Sequence, residues 1–370
     1  MSFFKNLFGK KPPKVHTPPI KSNEDFWSWF VKNESVFHQA VDDHKNIEED
    51  FFAHLGPKLN ELRKDCFCFL TGMSDQTTAE LILTAEGNIR NIAFLESLVA
   101  TAPDLPNWKF TLLKPSQDIK DTNIQMEGYT FNKDTLSFYA NEHPEIPDEI
   151  DITVVHKDFK EKDSSTVSHG TYIFLDNFLG ELEFATTIDR LNVIGPDEAT
   201  GDLVPIEKLK AFLKWREKEF IEKYDGTRYD TENDSYSSLE AKTQEGAPVL
   251  ATINRTLLDW DSKASHPWVC ILNIKYDGSE NNGLPNGEVY QLLNEIEDEL
   301  TDNELRDQDG YLNIGRQTVQ GTREVFFACN EFRKPSVVLD KLCRDHDPRV
   351  AISFDIYKDK YWQTFNRFMV

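Results

Sequence analysis

The stretch WVCILNIKYDGSENNGLPNGEVYQLLNEIEDELTD, residues 268–302, decides how the last third of the chain folds. Its first ten residues are rich in β-branched and aromatic side chains, which is typical of a buried strand. Asn, Gly and Pro then mark a turn. Five apolar residues at helical spacing follow, and they form one face of a predicted helix: Val289, Leu292, Leu293, Ile296 and Leu300. The stretch therefore predicts a strand, a turn and an amphipathic helix.

Four more elements follow this helix in the predicted order strand, strand, helix, strand. Their sequences are GYLNIGRQTV, REVFFACN, PSVVLDKLCRDHD and VAISFDIYKD. A tight turn, QGT, separates the first two strands and predicts a hairpin. The complete order of strand, helix, strand, strand, helix and strand (βαββαβ) predicts a ferredoxin-like split βαβ domain.

The upstream half of the chain also predicts an α+β fold. Helical patterns open it, and several strand patterns with one apolar face follow before a final amphipathic helix. We therefore expect two domains with mostly antiparallel sheets. The predicted boundaries are a basic, proline-rich tail at 1–22, an α+β domain at 23–224, a polar linker at 225–247 and the ferredoxin-like domain at 248–370.

Composition restricts the class of protein. The chain has 370 residues, of which 39% are apolar, and this favours folded globular domains. Its formal net charge of −23 repels a phosphate backbone, so we expect no direct nucleic-acid binding and favour a basic protein partner. The five cysteines are odd in number and unevenly spaced, which argues against a secreted disulfide framework and favours a cytoplasmic protein.

The N-terminal segment MSFFKNLFGKKPPK has a pattern of its own. Phe3, Phe4, Leu7 and Phe8 recur at helical spacing beside several lysines. One interpretation is a short interfacial anchor that holds the protein peripherally at the inner membrane. The other is a disordered tail on a proline-stiffened tether.

The turn at residues 276–290 places oxygen-bearing side chains where a calcium loop has its ligands. Asp277, Ser279, Asn281 and Glu288 stand at loop positions one, three, five and twelve. Position six is Asn where the calcium motif has Gly, and a strand precedes the loop where the motif has a helix. A plain strand-to-helix turn with an Asn cap accounts for the same residues.

The segment DWDSKASHPW contains the candidate catalytic residues Asp261 and His266 beside two serines. An acid, a base and a nucleophile are the residue types of a hydrolytic triad. The segment lacks the strand-turn-helix elbow that exposes a nucleophilic serine, so a structural loop histidine is the alternative interpretation.

Arg316 and Arg323 flank the predicted QGT hairpin and can lie close together across its two strands. Together they would hold an anion. The alternative is that each arginine pairs with an acidic side chain.

Three stretches carry a resemblance to a known family: HPWVCILNIKYDG, NGLPNGEVYQLLNEIEDEL and GYLNIGRQTVQGTREVFFAC. In this order they resemble the bacterial family known as domain of unknown function 695, over roughly residues 229–368. The upstream half resembles the companion region of Bacteroidetes-type members. The resemblance implies no catalytic residues. Some relatives are similar or joined to a small acidic regulator that inhibits ribonuclease E by binding it.

These observations favour a non-enzymatic protein-interaction or regulatory module that acts through its acidic surface and needs no cofactor. A narrower hypothesis, which the resemblance suggests, is regulation of an RNA-processing enzyme. The alternative is a hydrolase-type enzyme with its site at the cleft between the two domains, where pockets tend to form.

Overall fold

The computed structural model describes residues 19–369. These residues form two compact units, one of 19–83 and 95–112 and the other of 84–94 and 113–369. Helices and sheets occur in both, and most neighbouring strands are antiparallel, which confirms the predicted α+β fold. The predicted domain boundaries remain predictions. The predicted membrane contact at Phe3, Phe4, Leu7 and Phe8 lies outside the described residues. No helix within residues 19–369 is long and apolar enough to cross a membrane.

The N-terminal part of the described chain contains a three-stranded sheet and three helices. In chain order they are α1 (Asn23–Asp43), α2 (Ala53–Leu62), β1 (Cys68–Met73), β2 (Ala79–Thr84), α3 (Ile89–Ala100) and β3 (Trp108–Leu112). The strand order is β1-β2-β3, and β2 runs parallel to β3. Aromatic rings hold α1 on this sheet, because Phe30 lies 5.0 Å from Trp108 and 5.3 Å from Phe110 between ring centroids.

The second unit contains a four-stranded sheet in the order β8-β7-β6-β9 and a separate hairpin, β4-β5. The elements are β4 (Ile124–Met126), β5 (Tyr129–Phe131), β6 (Leu136–Asn141), β7 (Asp151–His156), α4 (Ser164–Leu179), α5 (Glu181–Thr187), β8 (Arg190–Ile194), β9 (Val204–Pro205) and α6 (Leu209–Tyr224). The central strand β7 is buried along its whole length. Its core partners include Phe174 and Phe178 of α4 and Leu213 of α6.

The second unit also contains a six-stranded sheet in the order β10-β11-β13-β14-β12-β15. The elements are β10 (Tyr236–Lys242), β11 (Pro248–Asn254), α7 (Arg255–Leu258), β12 (Trp268–Tyr276), α8 (Gly287–Glu299), β13 (Tyr311–Val319), β14 (Thr322–Cys329), α9 (Arg333–Arg344) and β15 (Val350–Lys358). The predicted order of strand, helix, strand, strand, helix and strand is present from β12 to β15. The ferredoxin-like assignment itself remains a prediction.

The strand β10 lies inside the segment that the sequence predicts as a linker. It pairs with β11 from Tyr236 opposite Asn254 to Lys242 opposite Pro248. As an outer strand with one neighbour, it buries little side-chain surface. Its sequence therefore lacks the strong apolar alternation by which a half-buried strand is recognised.

A bulge in β13 sets the direction of the side chains that follow it. The register of β13 against β14 shifts between Asn313 and Gly315. Gly315 has φ +133°, and a Cβ built on it would lie 2.2 Å from the main-chain oxygen of Thr252. Glycine is therefore required at this position.

A buried ion network joins the end of β15 to the loops around β7 and β8. Asp189 accepts from Lys360 Nζ at 2.7 Å and pairs with Lys358 Nζ at 2.9 Å. Lys360 also donates to the main-chain oxygen of Asp148 at 2.6 Å, and the Tyr361 hydroxyl donates to the Asp148 carboxylate at 2.6 Å. Each buried charge has a partner of opposite charge, as burial requires.

Glu181, at the start of α5, is hydrogen-bonded to two earlier segments of the chain. Its buried carboxylate accepts from the Thr84 hydroxyl at 2.6 Å and from the amides of Ala85, Gly87 and Lys114 at 2.9, 3.1 and 3.1 Å. Four donors converge on its two oxygens, so each oxygen accepts two hydrogen bonds.

We predict that Glu181→Gln lowers the free energy of unfolding by about 2–4 kcal/mol, because the amide group would turn an N–H toward existing donors. Urea unfolding of the full chain measures this loss. Glu217→Gln, an exposed change of the same chemistry on α6, is the matched control and should change stability by less than about 0.5 kcal/mol. Equal stability of the two variants would contradict the role of Glu181.

Candidate binding site

His266 is packed in the interior of the protein. Its side chain is buried beside the Trp260 ring, and its main-chain oxygen accepts from Trp362 Nε1 at 2.9 Å. Ser265 Oγ lies 2.8 Å from His266 Nδ1 and donates its own proton to the main-chain oxygen of Ser262 at 2.7 Å. The hydrogen-bond network therefore assigns Nδ1 as the donor toward Ser265. A histidine in this tautomer does not take a proton from that serine.

Asp261 is exposed, whereas His266 is buried. The imidazole ring of His266 is hydrogen-bonded to Ser265 and not to Asp261. The structure thus brings a histidine and a serine together, but the histidine donates its proton to the serine. In hydrolysis the histidine has to accept the proton of the serine. Hydrolytic use of Asp261 and His266 stays a prediction.

The predicted calcium ligands lie in a turn that is closed by its own hydrogen bonds. Asp277 accepts from the Ser279 amide at 3.0 Å, and this hydrogen bonding lowers the pKa of the Asp277 carboxyl. Asn281 donates its side-chain amide to the Pro285 oxygen at 3.2 Å, and Glu288 is exposed. Within residues 19–369, no group of three or more His, Cys, Asp or Glu is arranged to hold a metal ion.

The same turn leads directly into α8. Asn282 adopts the left-handed conformation with φ 51°, and the side chain of Asn286 caps the helix by accepting from the Val289 amide at 3.0 Å. These are the contacts of a strand-to-helix connection. The metal assignment of Asp277 and Glu288 remains a prediction.

Arg316 and Arg323 lie together, and both face α8. Glu297 of α8 accepts from Arg316 Nη1 at 2.9 Å and lies 3.8 Å from Arg323 Nη1. Arg323 is 2% exposed, donates to Asn294 at 2.8 Å and lies 5.3 Å from the Tyr290 ring centroid. Their shared partner is a carboxylate of the protein itself, while anion binding by the pair stays a prediction.

Beside Glu297 the surface opens into a cavity of about 320 Å³ with an acidic lining. Its lining residues come from the segments around β10, α8 and β13 and are Thr231, Tyr236, Glu297, Asp298, Thr301, Asp302, Leu305, Asp307, Tyr311 and Asn313. We call this the acidic cavity. Four carboxylates line it, and no lysine or arginine is among its lining residues in the described chain.

Two carboxylates of the acidic cavity are available to a ligand. Asp298 and Asp302 are exposed and one helical turn apart. No ion pair of residues 19–369 includes either of them, whereas Glu297 is paired with arginine and Asp307 accepts from Thr231. A cationic group entering the cavity would therefore meet two unpaired negative charges.

The position of these charges on the helix lowers the stability of the protein when no ligand is bound. The helix α8 ends at Glu299 with no basic residue in its last turn, and a π-helical turn continues from Leu300 to Glu304. The C-terminal end of a helix carries partial negative charge, so the carboxylate of Asp302, in this last turn, destabilises the protein by about 0.3–1 kcal/mol. A π-helical turn is also a frequent feature of functional sites.

Asn313 also lines the acidic cavity. Its Nδ2 atom is buried and has no hydrogen-bond partner in the described part of the chain. An unsatisfied buried amide group is costly to the folded protein. The groups that the acidic cavity presents to a ligand are therefore chiefly its carboxylates.

The sequence does not single out Asp298 and Asp302, because charged residues are expected on the outer face of any such helix. The feature of the sequence that indicates them is a run of acidic residues, with no basic residue, at the C-terminal end of the predicted helix. Thr231, Tyr236 and Asn313 join the cavity only through the pairing of β10, β11 and β13, which no local pattern in the sequence reveals.

The comparisons with known proteins bear on this part of the chain. Residues 241–370 match the family described as "Family of unknown function (DUF695)". We call these matched residues the DUF695 region. This match confirms the resemblance for the C-terminal part, while the resemblance of the upstream half stays a prediction. No curated protein and no solved structure matched the chain. All lining residues of the acidic cavity except Thr231 and Tyr236 lie in the DUF695 region.

Burial lowers the pKa of His266 to about 4, with a smaller contribution from Arg228. The unfolded chain, in which the pKa is about 6.5, binds the proton more readily between these two values. We therefore predict that the free energy of unfolding falls by up to about 3 kcal/mol as the pH is lowered from about 6.5 to about 4 because of this residue.

Thermal unfolding at pH 7 and pH 5 tests this effect. His266→Asn, which keeps a side-chain donor for Ser265, should lose less stability on acidification than the wild type. His169→Asn changes an exposed histidine and should behave like the wild type. Identical pH dependence in all three proteins would show that His266 does not contribute.

Proposed function

We propose that the DUF695 region is a protein-interaction module whose acidic cavity receives a basic segment of a partner protein. The observation that carries this proposal is the pair of exposed carboxylates, Asp298 and Asp302, which have no cationic partner in the described chain. Asp302 stands in the last turn of the helix, where its charge destabilises the isolated protein. Local features that lower stability are candidates for function.

A basic peptide segment matches the charge of the acidic cavity. A lysine or arginine side chain of the segment would pair with Asp298 and Asp302.

The charge of the whole chain supports the same class of partner. A net charge of −23 raises the rate at which a basic surface meets the protein and disfavours nucleic acid. Arg316 and Arg323 do not oppose this, because Glu297 lies against both guanidinium groups. In this proposal the two arginines hold Glu297 in place at the wall of the acidic cavity.

A narrower form of the proposal concerns the partner. An RNA-processing enzyme exposes basic surfaces for RNA, and an acidic module that covers such a surface would compete with RNA for it. This regulatory role is supported by the charge and by the resemblance noted above. This narrower proposal requires that the partner protein be such an enzyme and that added RNA displace the DUF695 region from it.

The test uses the full chain and a pentalysine peptide, with binding measured by calorimetry at low ionic strength. We predict that Asp298→Asn/Asp302→Asn weakens binding about tenfold, because two charge pairs of about 0.5–1 kcal/mol each are lost. The same double variant should be more stable to urea than the wild type, since the charge of Asp302, which opposes the helix dipole, is removed. Added salt should weaken wild-type binding.

The control is Asp42→Asn/Asp43→Asn, which removes two exposed acids at the C-terminal end of another helix, α1. It changes the net charge and the helix end in the same way and should bind the peptide like the wild type. Equal losses in the two double variants would show attraction by net charge alone and would overturn the cavity as the site. Absence of peptide binding to the wild type would overturn it as well.

A further inference from the structure

The outer edge of β10 is open beside the acidic cavity. The strand stands at one end of the six-stranded sheet and, among the strands of residues 19–369, pairs with β11 alone. The pairing runs without a bulge from Tyr236 opposite Asn254 to Lys242 opposite Pro248. One side of β10 is therefore bonded to the sheet, and the main chain on its other side is able to take a further strand.

The hydrogen bonds at the two ends of β10 show which main-chain groups face outward. Arg255 N donates to Ser235 O at 2.9 Å, and Thr243 N donates to Ala247 O at 2.9 Å. In the register of β10 and β11 each of these bonds joins directly opposed residues. Because hydrogen-bonded pairs alternate along an antiparallel ladder, the odd-numbered residues of β10 bond to β11. The groups that face away belong to the even-numbered residues, which are Tyr236, Ser238, Glu240 and Lys242.

These four residues are exposed to solvent. Each of them has a main-chain N–H donor and a C=O acceptor, since none is a proline. An extended segment that lies beside β10 would pair with these groups as an added strand, which is a common way for a sheet to bind a peptide.

The side chains of the outward-facing residues lie on the α8 side of the sheet. Ser238 is opposite Thr252, and Thr252 is opposite Arg316, which donates to Glu297 of α8 at 2.9 Å. Leu239 lies on the other side, where it packs against the apolar core of this sheet. The alternate residues of an added strand would therefore point to the α8 side, where the acidic cavity lies.

Tyr236 connects the open edge to the acidic cavity. It belongs to the lining of the cavity and is 54% exposed. An added strand would lie about 4.8 Å from β10. The long, flexible stem of a lysine side chain can cross one strand of this width. Its ammonium group would pass the Tyr236 ring, which attracts a cation, and enter the acidic cavity.

We propose that the basic segment of the partner binds as an extended strand on the outer edge of β10 and places a lysine or arginine side chain in the acidic cavity. This inference rests on the proposed function, because the cavity supplies the recognition of charge. The edge adds main-chain hydrogen bonds, and it requires a segment that is extended and free of proline where it meets β10.

Charge favours a basic partner over a second copy of this chain at the open edge. Two copies would each carry a net charge of −23, and their repulsion opposes the pairing of β10 with another β10. A basic segment is attracted instead. Glu240 adds a negative charge to the edge, and Lys242 stands at the end of β10 that is opposite to Tyr236 and the acidic cavity.

The first test uses the full chain and an acetylated peptide of alternating lysine and threonine, Lys-Thr-Lys-Thr-Lys-Thr. Two further forms carry methyl groups on the main-chain nitrogens of the lysines or of the threonines, so all side chains and charges are kept. In an added strand one of these two sets of N–H groups faces β10 and the other faces solvent.

We expect calorimetry at low ionic strength to show at least about tenfold weaker binding for one methylated form and less than about a threefold change for the other. With lysines on the α8 side, the lysine set is the sensitive one in an antiparallel pair and the threonine set in a parallel pair. Equal affinity of the two methylated forms would overturn the added strand.

The second test changes the edge itself. Ser238→Pro removes one outward N–H and leaves the bonds from β10 to β11 in place, as proline in an outer strand does. It should bind the unmethylated peptide at least about tenfold more weakly than the wild type. Ser238→Ala keeps the N–H and should bind like the wild type. Urea unfolding checks that both variants fold, and the methylated peptides test the same bonds without any change in the protein.

The outcomes separate this inference from the proposed function. Wild-type affinity of a folded Ser238→Pro variant would overturn the added strand, while the acidic cavity would stand if Asp298→Asn/Asp302→Asn still weakens binding. Absence of peptide binding to the wild type would overturn both. A free chain that is dimeric in gel filtration, and monomeric as Ser238→Pro, would assign the edge to a second copy and overturn the basic partner.

Discussion

The second unit depends on the burial of Lys360. Its side chain is 4% exposed, and burial, with a smaller effect of Lys358, lowers its pKa to about 8. The amine is still charged at neutral pH, so Asp189 and the Asp148 oxygen must stay within reach of it. This requirement fixes the loop before β7 on one side. On the other side it fixes residues 359–368, whose aromatic rings complete the core of the six-stranded sheet.

Periodic patterns predicted the fold wherever one face of an element is strongly apolar. The helix α8 was predicted from its stripe, and its Asn286 cap was predicted from the turn, because both depend on neighbours in sequence. The strand β10 was assigned to a linker because an outer strand buries little and needs no apolar alternation. The ion network around Lys360 also had no signal in the sequence, since its partners are about 170 to 210 residues away.

The candidate sites were harder to predict than the fold, because their residues come from distant parts of the sequence. The residues singled out from sequence, such as His266 and Asp277, were close neighbours of other polar residues, and the structure shows them hydrogen-bonded to those neighbours. The acidic cavity instead collects side chains from segments more than 60 residues apart, of which Thr231 and Asp298 are examples.

The acidic cavity would recognise positive charge through exposed groups, and this limits the kind of ligand that it can hold. In the acidic cavity Asp298 and Asp302 are exposed, so water and salt screen them and each contact is worth little. Affinity there has to come from several contacts along a partner segment, as a protein interface provides.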